Sequence, residues 1–222
     1  MIEPSDLQLI TVKTTLPSTP HQRAPEIRTS RLILRKFKPS DLQSLFKLQS
    51  QPQVAAWSPS GQPQTDIEKT KTNLQRRIEG ENDRNCAYAI CLLSGEFIGS
   101  GGVYSRQGLL GWPDLGYSLL YEHWGKGYAT EFLQAFLQAW WDMPRVDCEV
   151  RVDAGTVGCV EGSVVDERIV GFTVEENKGS RGVLTKCGLE LVKLWRTPDM
   201  RDETKMVDLY CYATASRSAR LQ

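Results

Sequence analysis

The chain has little of what builds metal and redox centres. Its 222 residues include two histidines and six cysteines. The cysteines stand at 86, 91, 148, 159, 187 and 211, and no two form Cys-x-x-Cys, so no metal site is expected. Charge of one sign is lacking too: 27 basic residues face 27 acidic ones, for a formal net charge of zero. That balance argues against a nucleic-acid partner. The densest basic stretch, Arg28, Arg31, Arg35, Lys36 and Lys38, reads as a solvated strand entry. Long apolar runs are missing as well. No segment approaches the ~20 apolar residues of a membrane span, so no membrane partner is expected. The N-terminus carries Glu3, Asp6 and several prolines and lacks the apolar core of a secretion signal. A reducing, cytoplasmic setting follows, with Cys91, Cys148 and Cys211 as thiols inside apolar runs.

What is present is ordinary in amount and informative in order. With 40% hydrophobic and 24% charged residues, the composition is that of a globular domain or a small pair. The stretch Tyr117-Ser118-Leu119-Leu120-Tyr121-Glu122-His123-Trp124-Gly125-Lys126-Gly127-Tyr128-Ala129-Thr130 ends an apolar run, turns on two glycines and opens a helix. Phe132, Leu133, Phe136, Leu137 and Trp140 then fall on one helical face. Strand, glycine turn and helix start together make an anion site, because the first helical N–H groups lack internal acceptors and the dipole is positive there. Gly125 and Gly127 let backbone approach a phosphate, and Lys126 adds a cation. The same pattern also fits an ordinary tight turn. It is not a P-loop, since Leu120 stands where the first glycine belongs and Gly127 where Ser or Thr belongs. Nor is it a dinucleotide fingerprint, where Thr130 would have to be a small third residue.

The remaining elements follow from local signals. Residues 1–26, with four prolines and many Ser and Thr, read as a mostly irregular leader. Leu32 to Phe37 is the first strand. Ser40-Asp41-Leu42-Gln43 and Thr65-Asp66-Ile67-Glu68 read as capping boxes of two helices. Cys86 to Leu93 and Glu96 to Tyr104 form a hairpin around Ser94-Gly95. Val146 to Val152 is a strand after the central helix. Ser180 to Cys187 is a short helix stopped by Gly188, and 189–196 with 206–212 closes the sheet. The order gives an α/β (α+β) fold with a mixed sheet.

Trp124-Gly125-Lys126-Gly127-Tyr128-Ala129-Thr130-Glu131 resembles the acyl-CoA pyrophosphate loop of the GNAT acetyltransferases, in the form typical of ribosomal-protein-alanine N-acetyltransferases. Three further stretches are similar to that branch: 29–35 to its first strand, 114–119 to the strand feeding the loop, and 177–189 to its second cofactor motif. The resemblance covers roughly residues 29–213. It implies a GNAT-like, mostly antiparallel twisted sheet with helices and a splayed central strand pair. The acetyltransferase-like domain would span 27–214, with 215–222 as a tail. It also implies acetyl-CoA as co-substrate and direct attack by a primary amine of a small molecule or a protein N-terminus. Leu119, Leu120, Trp124, Gly125, Lys126, Gly127, Tyr128, Ala129, Thr130 and Asn177 are then the cofactor-binding candidates. Ser180 is the candidate proton donor, supported by Asn177, because Leu184 stands where many members have a tyrosine. Asp114 is the candidate base, with Glu122 as another carboxylate at the loop. A CoA-binding protein that no longer catalyses is the alternative.

One segment departs from the family pattern. Residues 154–176 separate the two cofactor motifs. They read either as an insertion carrying a small hairpin over the cofactor cleft or as a stretch foreign to the fold, as a retained intron would be. An extra loop there would displace Asn177 and Ser180.

Overall fold

A computed structural model of the chain describes residues 7–18, 25–79, 86–199 and 201–215, without the side chains of residues 195, 203 and 215. The early elements are β1 (Leu9–Pro17), β2 (Ile27–Arg28), β3 (Leu32–Arg35), α1 (Leu42–Ser50), α2 (Pro52–Ala55) and α3 (Ile67–Glu79). They are followed by β4 (Cys86–Leu92), β5 (Phe97–Ser105), β6 (Asp114–Leu119), α4 (Tyr128–Trp141) and β7 (Arg145–Asp153). Last come β8 (Arg168–Val174), α5 (Lys178–Lys186), β9 (Glu190–Asp199) and β10 (Asp202–Ala215). The architecture is mixed α/β with a mostly antiparallel sheet and flanking helices. The chain divides into two compact units and, among the described elements, passes between them at the end of β5, inside β6 and inside α4.

The unit of residues 25–104 and 116–137 carries the glycine turn. Antiparallel pairings join β2 to β3, β3 to β4 and β4 to β5. Leu45 and Leu48 of α1, Leu74 of α3, and Phe37, Ala89 and Phe97 share one buried core. On α4, Phe132 and Phe136 are fully buried, and Phe136 meets Tyr88 edge-on with ring centres 6.2 Å apart. Gly101 of β5 makes that packing possible, since a Cβ there would stand 2.5 Å from the Phe132 ring. The hairpin around Ser94-Gly95 is present as expected, with β4 paired to β5.

The expected Ser40 capping box is not what starts α1. Asp41, 4% exposed, accepts both terminal nitrogens of Arg35, at 2.8 and 2.7 Å, and the Lys38 N–H at 2.7 Å. A forked, charge-assisted pair outcompetes a serine cap for the chain's local geometry. At α3 the capping acceptor is Asp66, whose Oδ1 takes the Glu68 N–H at 2.9 Å, in place of Thr65.

The other unit holds residues 7–18, 105–115, 138–199 and 201–215. Its strands overturn two expectations. Leu9–Pro17 is not an irregular leader but β1, paired antiparallel with β7 from Leu9↔Asp153 to Pro17↔Arg145. Alternation decides this over composition: Val12 and Thr14 are buried beside exposed Lys13. Residues 1–6 and 19–24 lie outside the described residues. Because β7 pairs with β1 in a separate two-stranded sheet, it does not take the sheet position expected of Val146 to Val152.

That position belongs to β8. It pairs in parallel with β6 at Asp114↔Val170 and Leu115↔Gly171, and antiparallel with β10 from Leu209↔Val174 to Ala215↔Arg168. Ile169 and Val170 are fully buried. The 154–176 stretch is therefore neither a hairpin over a cleft nor foreign to the fold, since its residues 168–174 form a strand paired on both sides that leads into α5. The apolar run Ile169-Val170-Gly171-Phe172 has the length and content of a strand buried on both faces. The 189–196 and 206–212 hairpin is present as β9 and β10. No helix among the described residues is long and apolar enough to cross a membrane.

Candidate functional site

β6 delivers the chain to Leu119 and Leu120, both buried at 5% and 3% exposure. A single turn at Tyr121–His123 follows, then Trp124 and the glycine turn. Gly125 has φ 71° and Gly127 φ 81°, both left-handed. Side chains at these positions would be strained, which is why the turn reads Gly-Lys-Gly. Space beside Gly125 is open: a Cβ would meet nothing within 4 Å. Helix α4 begins at Tyr128, and Glu131 N–H donates to Gly127 C=O at 3.1 Å. Tyr128 and Ala129 precede that first intrahelical bond, so their N–H groups face out of the helix end, where its dipole is positive. Thr130 completes the first turn, and Lys126 is exposed.

The turn is pinned on both sides. Trp124 Nε1 donates to Leu119 C=O at 2.7 Å, and Tyr121 packs edge-on against Trp124 at 5.2 Å. Leu120 N–H donates to Ile98 C=O at 2.8 Å, which removes it as a donor to a ligand carbonyl. On the helix side stands Arg31, a residue that sequence reasoning noted in a motif and a basic patch but gave no role. Its Nε donates to Glu131 Oε2 at 2.6 Å and its Nη1 to Lys126 C=O at 3.0 Å. Its guanidinium lies 4.7 Å from the centre of the Tyr128 ring. Glu131 also accepts Thr29 Oγ1 at 2.6 Å, Ser30 Oγ at 3.0 Å and Arg31 N–H at 2.9 Å. Burial alone would raise its pKa, but the hydrogen bonds from Thr29, Arg31 and Ser30 outweigh it and hold the carboxylate below its usual range. Glu131 is thus the clamp between the 29–31 segment and α4.

The two candidate bases have opposite environments. Glu122 accepts Lys47 Nζ at 2.6 Å and Gln51 Nε2 at 2.7 Å, and these bonds hold its pKa down to about 2. It is a poor proton acceptor. Asp114 is packed close to Gly108, its Oδ1 has no hydrogen-bond partner among the described residues, and its Oδ2 receives only a long bond from Leu109 N–H, at 3.4 Å. Burial pushes its pKa up to about 7, against a small opposing effect of that N–H. A carboxyl that shares its proton near neutrality can act as a base or an acid.

Asn177 and Ser180 meet at the start of α5, where Asn177 Oδ1 accepts the Ser180 N–H at 3.0 Å. Asn177 is a helix cap whatever else it does. Leu184 is 2% exposed and packs over Gly171 of β8. Burial raises the Cys187 thiol to about 11, which leaves it unreactive. Asp114, Asn177 and Ser180 belong to the unit of β8, and the residues 119–131 to the unit of the glycine turn.

A family model described as the acetyltransferase (GNAT) domain matches residues 31–190. The chain belongs to the GNAT acetyltransferase family. A curated relative, an uncharacterized N-acetyltransferase p20 of Bacillus licheniformis, is 31% identical over 111 residues, which are 49% of this chain and 62% of that protein. The chain thus aligns with less than two thirds of that relative's length. Among solved structures, spermidine N-acetyltransferase from Vibrio cholerae in complex with CoA and spermine superposes with a TM-score of 0.65 at 14% identity, covering 87% of this chain and 100% of that one. RimL, a ribosomal L7/L12 α-N-protein acetyltransferase in complex with CoA, superposes with a TM-score of 0.64 at 17% identity, covering 86% and 98%. At these identities the likeness is one of fold, and it includes the ribosomal-protein branch.

Proposed function

We propose that this chain transfers an acetyl group from acetyl-CoA to a primary amine, on a protein N-terminus or a small molecule, by direct attack. The observation that carries the reading is the pair of left-handed glycines at the start of α4, with open space beside Gly125 and two cations, Lys126 and Arg31, at the turn. These residues fit a pyrophosphate: backbone N–H groups of Tyr128 and Ala129, helix dipole and positive side chains favour the same anion. Thr130, Trp124 and Leu119 complete the binding segment. Acetyl-CoA supplies an already activated thioester, so the protein's task is to orient, to remove a proton and to return one. Asp114 takes the proton from the ammonium form of the acceptor. Ser180, held by Asn177, donates to the departing thiolate.

A CoA-binding protein without turnover is the second reading, and Leu184 favours it. That side chain is apolar and part of the core, so it donates nothing. A reducing cytoplasm suits either reading, since no disulfide joins any of the six cysteines. Two measurements separate them. Acetyl-CoA should raise the melting temperature under both, because only the folded state presents the turn. Release of free CoA thiol on addition of an amine acceptor occurs under the first alone. An acceptor screen should include peptides with free N-termini, polyamines and amino acids.

A further inference from the structure

Arg31 divides its guanidinium between two tasks. Nε is engaged by Glu131 and Nη1 by Lys126 C=O, while the Tyr128 ring supports the planar group from one face. Nη2 has no hydrogen bond among the described residues. It lies 3.4 Å from the point that a Cβ on Gly127 would occupy. A guanidinium is a rigid fork, so fixing two of its nitrogens also fixes the direction of the third. The fork's anchors are themselves set: Glu131 is held by Thr29 and Ser30 as well, and the next residues of α4, Phe132 and Leu133, are fully buried. The result is one oriented donor beside the backbone that Gly127 leaves uncovered. Lys126, by contrast, is a flexible point charge on an exposed stem.

We infer that Arg31 is a ligand of the cofactor's pyrophosphate, with Nη2 reaching the anion while Nε and Nη1 hold the turn in shape. This rests on the proposed acetyl-CoA site and adds to it a side chain from the beginning of the domain. Its specific consequence concerns the pyrophosphate arm alone. A thioester lacking that arm, such as acetyl-pantetheine, gains nothing from Arg31.

The test compares acetyl-CoA with acetyl-pantetheine in the parent, Arg31→Ala and Arg31→Lys, with KM and kcat measured for each donor. Arg31→Ala should raise KM for acetyl-CoA by about tenfold or more, the range of a charge-assisted hydrogen bond at a half-exposed site. It should change kcat/KM for acetyl-pantetheine less than about twofold. Arg31→Lys keeps the charge but cannot anchor and reach at once, so it should recover only part of the affinity. Inorganic pyrophosphate should compete with acetyl-CoA more weakly in Arg31→Ala than in the parent. Equal loss with both donors would make Arg31 a general support of the fold, and an Arg31→Ala whose weakened acetyl-CoA affinity depends on salt as steeply as the parent's would make it a strut for the turn; either result would overturn the inference, as would parental KM in Arg31→Ala. A parent that binds no acetyl-CoA would instead defeat the proposed function itself. Thermal melts of both variants show whether a loss comes from unfolding, and a melted Arg31→Ala leaves Arg31→Lys to decide.

Discussion

Two carboxylates, one in each unit, show how differently the same group can be used. Glu131 sits in the first turn of α4 with four donors around it, and it stays ionised well below neutrality. Asp114 opens β6 with one long hydrogen bond, and burial lifts it to about 7. Number of donors decides the outcome, since both groups are shielded from solvent to some degree. Glu131 is therefore structural: it fixes the glycine turn and never needs to change charge. Asp114 is destabilised as an anion and is suited to move a proton. Glu167, buried near Arg145 and Trp140 in the same unit as Asp114, is also pushed up to about 7 by burial, in spite of those partners. Burial without full compensation recurs in that unit.

The largest break in this comparison comes from β8, which pairs with β6 at Asp114. Deleting residues 168–174 removes a strand paired on both sides. No folded, soluble protein should be recovered, and circular dichroism of any soluble fraction would check it. A folded deletion variant would return the segment to the status of an insertion. Next in size is Asp114→Asn, which keeps shape and removes the titration. The parent's kcat/KM should rise with pH through about 7 as Asp114 deprotonates, and the variant should lose that limb and about 10²–10⁴-fold in rate, the usual worth of a general base. An unchanged pH–rate profile would remove Asp114 from the mechanism.

The same group gives a stability prediction with a definite sign. A carboxyl whose folded pKa is raised stabilises the fold below its unfolded value, near 3.9, and loses that contribution as pH rises to about 7. Urea melts should show Asp114→Asn gaining on the parent from pH 4 to pH 7, by on the order of 4 kcal/mol at most, and then holding a constant lead. Constant parity across that range would mean that Asp114 is not destabilised as an anion. Leu184→Tyr belongs to the same unit. With Leu184 fully packed over Gly171, the added ring should cost roughly 1–3 kcal/mol and give no gain in rate. Ser180→Ala is the smallest of these effects: kcat should fall by about tenfold while acetyl-CoA affinity holds, because a thiolate of pKa about 8.5 leaves tolerably without help. Parental kcat under conditions where chemistry limits would leave Ser180 as a residue of the capped turn only.

What could be seen in the sequence was local. The glycine turn, the hairpin at Ser94-Gly95 and the stop at Gly188 each depend on a few adjacent residues with special backbone needs. The family motifs added the frame of the fold. What escaped is long-range. Arg31 and Glu131 are 100 positions apart, and nothing in either neighbourhood announces the other. β1 hid behind prolines and a Thr-rich composition, and its partner β7 lies at the far side of the domain in sequence. The apolar run at 169–172 was visible as a strand. Its place is not local information: residues 154–176 read as an insertion or a foreign stretch until the pairing of β8 with β6 and β10 is seen. Charge states escaped too: Asp114 and Glu122 are both carboxylates, and only their neighbours show that burial raises one while hydrogen bonds from Lys47 and Gln51 lower the other.

The central claim is that the Gly-Lys-Gly turn at the start of α4 binds the pyrophosphate of acetyl-CoA. Calorimetric titration of acetyl-CoA into the parent and into Gly127→Val tests it most directly. Gly127 sits at φ 81° with the Arg31 guanidinium beside it, so valine both strains the turn and covers the approach. Saturable one-site binding is expected in the parent, with a loss of at least about tenfold in affinity in a variant that circular dichroism shows to be folded. A folded Gly127→Val that binds acetyl-CoA as tightly as the parent would contradict it.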